Sequence, residues 1–269
     1  MDTEKKKYDI SKKFHAPDAD LIFQSSDNIR FYIHHKYLEA NTGAFPPSEF
    51  DIGRDEIVPL TESSITLELL FSFIYPQRHP ELEDVPFEII EPLAEAAEKY
   101  EVFSAMHICH LRMKEFIPTH PIEVLSYACR HDYSLVISAA AEVAVALPLA
   151  ESVQLMPPHL VMPWILYIDA RMKVHRNIQE ASKRLQYRHR LFIDEEAHSR
   201  CDRWAKIVLP PILKRLIVGY SGLGDLDALF SVQPSENCCR DAVAAWKKMV
   251  KEELKTISKF KQFISSNKK

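Results

Sequence analysis

The opening of the chain restricts the fold more than any other stretch. Leu21, Ile22 and Phe23 form a short apolar run typical of a buried strand. Residues 25–28, SSDN, are turn formers whose side chains bond their own backbone. Residues 29–33, IRFYI, then alternate between two faces, which indicates a half-buried strand. A short helix is predicted to follow at residues 34–41, so the chain begins as a hairpin and a helix.

Most of the remaining sequence predicts helices. Only 5 of the 269 residues are glycine, against 17 prolines, which favours helices joined by short turns. One helix is expected to start near Thr61 or Ser63 and to stop at Pro76. Its apolar residues lie on more than one face, so either the chain itself or a partner must cover them. The predicted fold class is α+β, with short strands capped by helices in a first lobe and an all-helical second lobe.

Two lobes are expected to meet near residues 117–121, IPTHP, because proline disfavours a helix through the preceding residue. We therefore expect an N-terminal tail at 1–13, an interaction domain at 14–117, a helical domain at 121–264 and a frayed tail at 265–269. Apolar residues recur at helical spacing from Val243 to Ile264, with lysines between them, which predicts one long amphipathic helix.

Four motifs follow one another in the first lobe. They are Asp20-Leu21-Ile22-Phe23, the stretch FYIHHKYL at 31–38, the pair LTESS at 60–64 and LLFSFIYP at 69–76, and AAEKY at 96–100. In this order they resemble the motifs of the BTB/POZ family, and most closely those of its large fungal group. The resemblance covers about residues 14–117 and implies an interaction domain.

The resemblance implies that the protein binds other proteins. Family members self-associate, commonly as homodimers, or recruit partners, often the cullin scaffold of a ubiquitin ligase. The implied interaction surface comprises Asp20, His35, Leu67, Glu68, Phe71 and Tyr75. His35 stands where dimeric members carry a basic residue that pairs with the strand Asp. Leu69 stands where cullin-binding members carry Glu, and residues 42–47, TGAFPP, replace a helical motif, so the next helix is expected to be short or lost.

No pattern in the sequence indicates catalysis. His34 and His35 are adjacent, but His34 is expected to be structural, with its ring bonded to backbone at a helix start. A glycine-rich phosphate loop and a nucleophile elbow are both lacking. We expect a non-enzymatic protein that needs no cofactor.

Two groups of histidine and cysteine are candidate metal sites. His107 and His110 share a helix face, but Cys109 lies away from them and is expected to pack in the core. The other group is His198, Cys201, Cys238 and Cys239. Its spacing matches no standard zinc module, so structural or surface thiols are the preferred reading and zinc is the alternative.

Charge is unevenly distributed along the chain. Residues 46–101 contain 14 acidic and 3 basic side chains, whereas residues 171–215 contain 12 basic and 5 acidic ones. Solvated helix faces explain this pattern, and a basic surface for nucleic acid is the alternative. That alternative depends on Arg184, Arg188, Arg190, Arg200 and Arg203 near Tyr187 and Trp204. Trp204 and Trp246 are expected in helix cores instead.

The compartment is predicted from cysteine usage and hydropathy. The five cysteines are odd in number and lack the spacing of a disulfide framework. The N-terminal residues lack the apolar core of a signal peptide, and no run is apolar enough to span a membrane. We therefore expect a cytoplasmic or nuclear protein without membrane association.

Overall fold

The computed structural model describes residues 8–45, 56–191, 204–217, 226–235 and 237–266. The fold is α+β, which confirms the predicted class. The chain divides into two compact units, Met1–Thr119 and His120–Lys269.

A four-stranded mixed sheet lies in the first unit. Its strands are β1 (Asp9–His15), β2 (Leu21–Gln24), β3 (Ile29–Ile33) and β4 (Ile57–Pro59), in the spatial order β1-β3-β2-β4. Strands β2 and β3 form the expected antiparallel hairpin, and β1 and β4 add to it in parallel. At the hairpin turn Asn28 has a φ of 66°, a left-handed conformation that asparagine tolerates.

Strand β1 corrects the prediction of an N-terminal tail at residues 1–13. The register between β1 and β3 shifts between Ile10 and His15. Within the shifted stretch, the Ser11 hydroxyl accepts hydrogen bonds from the backbone N–H groups of Lys13 and Phe14. Ser11 and Phe14 are buried while their neighbours are exposed, so burial recurs at every third residue. Because the period-two signature is absent, the sequence pattern does not reveal this strand.

The described part of the first unit also contains four helices, and the second of them packs on strand β1. They are α1 (His35–Asn41), α2 (Ser64–Ile74), α3 (Phe87–Lys99) and α4 (Phe103–Glu115). The Ser63 side chain accepts from the Thr66 N–H and so caps α2, as the sequence predicts. Phe71 of α2 lies within 6 Å of the ring centroids of Phe14, Phe23 and Phe31. The expected short or lost helix after α1 lies outside the described residues.

Described elements of the second unit are all helical. They are α5 (Pro121–Arg130), α6 (Ser134–Ala144), α7 (Leu149–Leu155), α8 (Pro158–Leu191), a π-helical turn (Trp204–Val208), α9 (Leu209–Ile217), α10 (Leu226–Leu229), α11 (Asn237–Lys255) and α12 (Phe260–Ser266). The single long C-terminal helix predicted from periodicity is therefore wrong. The segment is divided into α11 and α12. The break follows α11 at Thr256, whose N–H and hydroxyl both donate to the Glu253 carbonyl.

Two aromatic clusters organise the second unit. Trp204 and Trp246 are both buried, as predicted, in a core that joins α8, α9 and α11. Trp164 and Tyr167 of α8 pack against Phe260 of α12, with ring centroids 5.4 and 5.5 Å away. Among the described helices, none combines the length and the apolar character that crossing a membrane requires.

Candidate interaction groove

Asp20 and His35, which stand at the positions that dimeric family members pair, meet through the backbone. The Asp20 carboxylate accepts a hydrogen bond of 2.7 Å from the His35 N–H, the first N–H of α1. The His35 ring lies 3.9 Å from the Glu39 carboxylate one turn later. Asp20 thus ties β2 to the start of α1, where unpaired N–H groups favour a negative charge.

The His34 ring bonds a side chain, which corrects the expectation of a backbone partner. Its Nδ1 lies 2.8 Å from the Tyr75 hydroxyl, and its Nε2 lies 3.3 Å from the Asp18 carboxylate. The same hydroxyl accepts the His34 backbone N–H at 3.0 Å. In the neutral ring with a proton on Nε2, Tyr75 can donate to Nδ1 while Nε2 donates to Asp18. Burial raises the pKa of Tyr75, which keeps this hydroxyl protonated.

A polar network joins the start of α2 to the end of α3. The Glu62 carboxylate accepts from Lys99 Nζ and from the Tyr100 hydroxyl, each at 2.8 Å. Burial raises the pKa of Glu62, but the bonds from Lys99 and Tyr100 outweigh it and bring the pKa below its ordinary value. Burial also raises the pKa of Tyr100 to about 12, so Tyr100 remains a donor.

These contacts connect the four sequence motifs in pairs. Asp20 of the first motif holds the helix start of the second, and His34 of the second bonds Tyr75 of the third. Glu62 of the third bonds Lys99 and Tyr100 of the fourth. The polar residues of the motifs therefore fix the relative positions of β2, α1, α2 and α3.

Leu67 and Phe71 do not belong to an accessible surface, so this part of the predicted interaction surface is wrong. Both side chains are fully buried in the core of the first unit. The face of α2 that carries them packs on the sheet and on Phe14. Glu68 is exposed and Tyr75 is half-buried.

The opposite face of α2 borders an apolar groove. Ile65 is 59% exposed, and Leu69, one turn later, is half-buried beside it. Ile10 of β1, 49% exposed, lines the same groove of about 1080 Å³. The remaining apolar wall comes from Val85, Pro86 and Ile89, where the chain enters α3. We call this feature the β1–α2 groove.

Carboxylates dominate the rim of the β1–α2 groove. Asp9, Glu68 and Asp84 line it, and all three are exposed. Lys12 and Lys13 also line the groove and are both exposed, and Lys13 has its Nζ bonded to the Ser72 hydroxyl at 2.8 Å. The groove therefore combines apolar walls with a net negative rim.

The candidate metal groups have different outcomes. Cys109 is buried, as predicted, and burial raises the pKa of its thiol to about 12, which makes it a poor metal ligand. Cys239 is buried in the core around Trp246. His198, Cys201 and the Cys238 side chain lie outside the described residues, as do Tyr187 and the arginine side chains of the nucleic-acid alternative. Within the described part of the chain, no group of three His, Cys, Asp or Glu could hold a metal ion.

Comparison with protein-family models gives no match for this sequence, and no curated protein matches it. Fold and surface together define an α+β protein whose candidate site is an acid-rimmed apolar groove in its first unit.

Proposed function

We propose that the protein is a non-enzymatic interaction module of the BTB/POZ type that binds protein partners through the β1–α2 groove. One observation carries this proposal: Ile65 and Ile10 are left 59% and 49% exposed in an apolar groove. Apolar surface gathered in a groove gains free energy, about 25 cal/mol per Å², when a partner covers it.

The arrangement of the four motifs supports an interaction module over an enzyme. Their polar residues are bonded to one another and to backbone, so they hold elements in place. A rigid scaffold of this kind presents a fixed surface, which lowers the entropy cost of binding.

The first partner we propose is a second copy of the chain, in a homodimer. A cullin scaffold is the alternative, because Glu68 and Leu69 of the Leu67–Glu68–Leu69 triplet line the groove. We place the protein in the cytoplasm or nucleus, since the free thiols of Cys109 and Cys129 fit a reducing compartment.

Light scattering coupled to size-exclusion chromatography tests this proposal on the full chain, with and without a cullin N-terminal domain. The informative variant is Ile65→Asp, because an acidic residue in the first turn of α2 preserves the helix while it disrupts the groove. Phe103→Asp is the matched control: Phe103 is also 59% exposed and begins α4, but it does not line the groove.

We expect the native protein and Phe103→Asp to form the same homodimer or cullin complex, and Ile65→Asp to remain monomeric. A homodimer without a cullin complex would support self-association as the function. A mixed complex would support a role as a ligase adaptor. A native protein that is monomeric with and without the cullin would contradict both. An assembly that survives Ile65→Asp would show that the groove is not the binding site.

A further inference from the structure

The charges around the β1–α2 groove indicate which chemistry its partner carries. Asp9, Glu68 and Asp84 stand at the rim with exposed side chains. Two exposed lysines, Lys12 and Lys13, also line the groove, so the rim keeps a net charge of −1. A partner that covers the apolar walls must therefore approach three carboxylates.

The wider sequence around the groove has the same sign. Residues 56–101, which include α2 and α3, carry 11 acidic against 2 basic side chains, a net charge of −9. A field of this sign attracts basic segments and repels acidic ones before contact is made.

We propose that the β1–α2 groove binds a segment whose apolar side chains are flanked by lysine or arginine. This inference rests on the proposed function, and it adds the chemistry of the partner. The apolar side chains fill the space between Ile10, Ile65 and Ile89, while the basic groups reach Asp9, Glu68 and Asp84. The apolar contacts supply most of the affinity, and the charges select the partner.

Fluorescence anisotropy with two labelled synthetic peptides tests the inference on the full chain. Both peptides are about 15 residues long, enough to form an amphipathic helix, with leucine on one face. Lysine fills the other face in the first peptide, and glutamate replaces every lysine in the second. We expect the native protein to bind the lysine peptide and to leave the glutamate peptide unbound at the same salt concentration.

Charge reversal at the rim tests whether its carboxylates cause the preference for the lysine peptide. The variant Glu68→Lys with Asp84→Lys is expected to weaken binding of the lysine peptide about tenfold, because two rim pairs become repulsive. Glu142→Lys with Asp241→Lys is the matched control, since these exposed carboxylates lie in the second unit and produce the same change in net charge. The control variant is expected to bind within about twofold of the native protein, because only the overall field changes.

The outcomes separate this inference from the proposed function. Both peptides could bind equally well, with binding lost in Ile65→Asp and unchanged by the charge reversal. That result would support the groove as the binding site but overturn the inference that its partner is basic. Lysine-peptide binding that survives Ile65→Asp would remove the groove as a site altogether. If neither peptide binds, the inference is overturned while the light-scattering result still decides the proposed function.

Discussion

At the scale of single residues, the sequence identifies the important positions but gives several of them the wrong partners. Asp20 and His35 are in contact, but through the His35 backbone N–H. The His34 ring bonds the hydroxyl of Tyr75, which lies 41 residues later in the sequence. The hydrogen-bond partner of a side chain depends on which hydroxyl or N–H the folded chain brings within about 3 Å of it. No local pattern encodes that distance.

Glu62 gives a prediction about acid stability. Its folded pKa is lowered, so its contribution is complete above its unfolded pKa and is lost as pH falls through the folded pKa. The variant Glu62→Gln should reduce the free energy of unfolding at pH 7 by about 1–2 kcal/mol, because the hydrogen bonds lose their charge. Urea titrations from pH 7 to pH 3 should show a smaller loss of stability in the variant than in the native protein. Tyr100→Phe should also be destabilised and keep only part of the native pH dependence, because Lys99 still lowers the pKa of Glu62 but Tyr100 no longer does. Identical pH profiles for the native protein and Glu62→Gln would refute the assignment.

Arg171 gives a second prediction at this scale. Arg171 is only 9% exposed, and its guanidinium donates to the Tyr167 hydroxyl and lies over the Tyr167 ring. No described carboxylate pairs with it, and its Nε lacks an acceptor there. Because a buried cation without a counter-charge is costly, Arg171→Met should raise the midpoint of thermal unfolding. Arg112→Met should lower it, since Arg112 pairs with Glu115 and bonds the Glu83 carbonyl. Calorimetry of both variants checks the difference, and a lower midpoint for Arg171→Met would mean that the guanidinium is compensated.

At the scale of elements, α2 shows what periodicity can and cannot decide. The sequence predicts two apolar faces, one with Ile65, Leu69, Leu70 and Phe73 and the other with Leu67, Phe71 and Tyr75. The structure divides the first face, because Leu70 and Phe73 are buried while Ile65 is exposed and Leu69 is half-buried. Which side chains of α2 face the sheet depends on where Phe14, Phe23 and Phe31 lie, and tertiary packing decides this. The groove residues could have been found from the Ile65 and Leu69 pair, but only once β1 was recognised.

Helix α12 gives a prediction for an element. With 7 residues it is too short to be stable alone, so its docking depends on Phe260 and on the Lys261 contacts with Asp132 and Ser134. Phe260→Ala should release the helix, at a cost of about 3 kcal/mol, because Phe260 fills a site beside Trp164 and Tyr167. Hydrogen exchange should accelerate in α12 while the amides of α11 stay protected. Lys261→Ala should change exchange much less, since exposed ion pairs contribute little. Equal acceleration in both variants would contradict a docking that depends on Phe260.

At the scale of the whole molecule, composition and the proline boundary anticipate an α+β unit followed by helices. Strand order and the place of β1 could not be anticipated, because the parallel β1–β3 pairing joins residues that no local motif connects.

A fragment gives the prediction at this scale. The chain Met1–Thr119 should fold cooperatively by itself, because the sheet, its helices and the aromatic cluster around Phe71 all lie within it. A fragment that ends at Lys99 should fail to fold, since it lacks the buried Ala105, Cys109 and Met113 of α4. Circular dichroism with urea titration checks both fragments. A non-cooperative transition in the longer fragment would show that the first unit needs the second.

Both margins of the described sheet are unsuited to adding another strand. Strand β1 is distorted between Ile10 and His15 and carries two lysines, and β4 is three residues long and ends in Pro59, which has no N–H. Association of two molecules by strand pairing through backbone hydrogen bonds is therefore disfavoured at these edges. We expect the protein to resist fibrous aggregation at high concentration, and its associations to be decided by side chains.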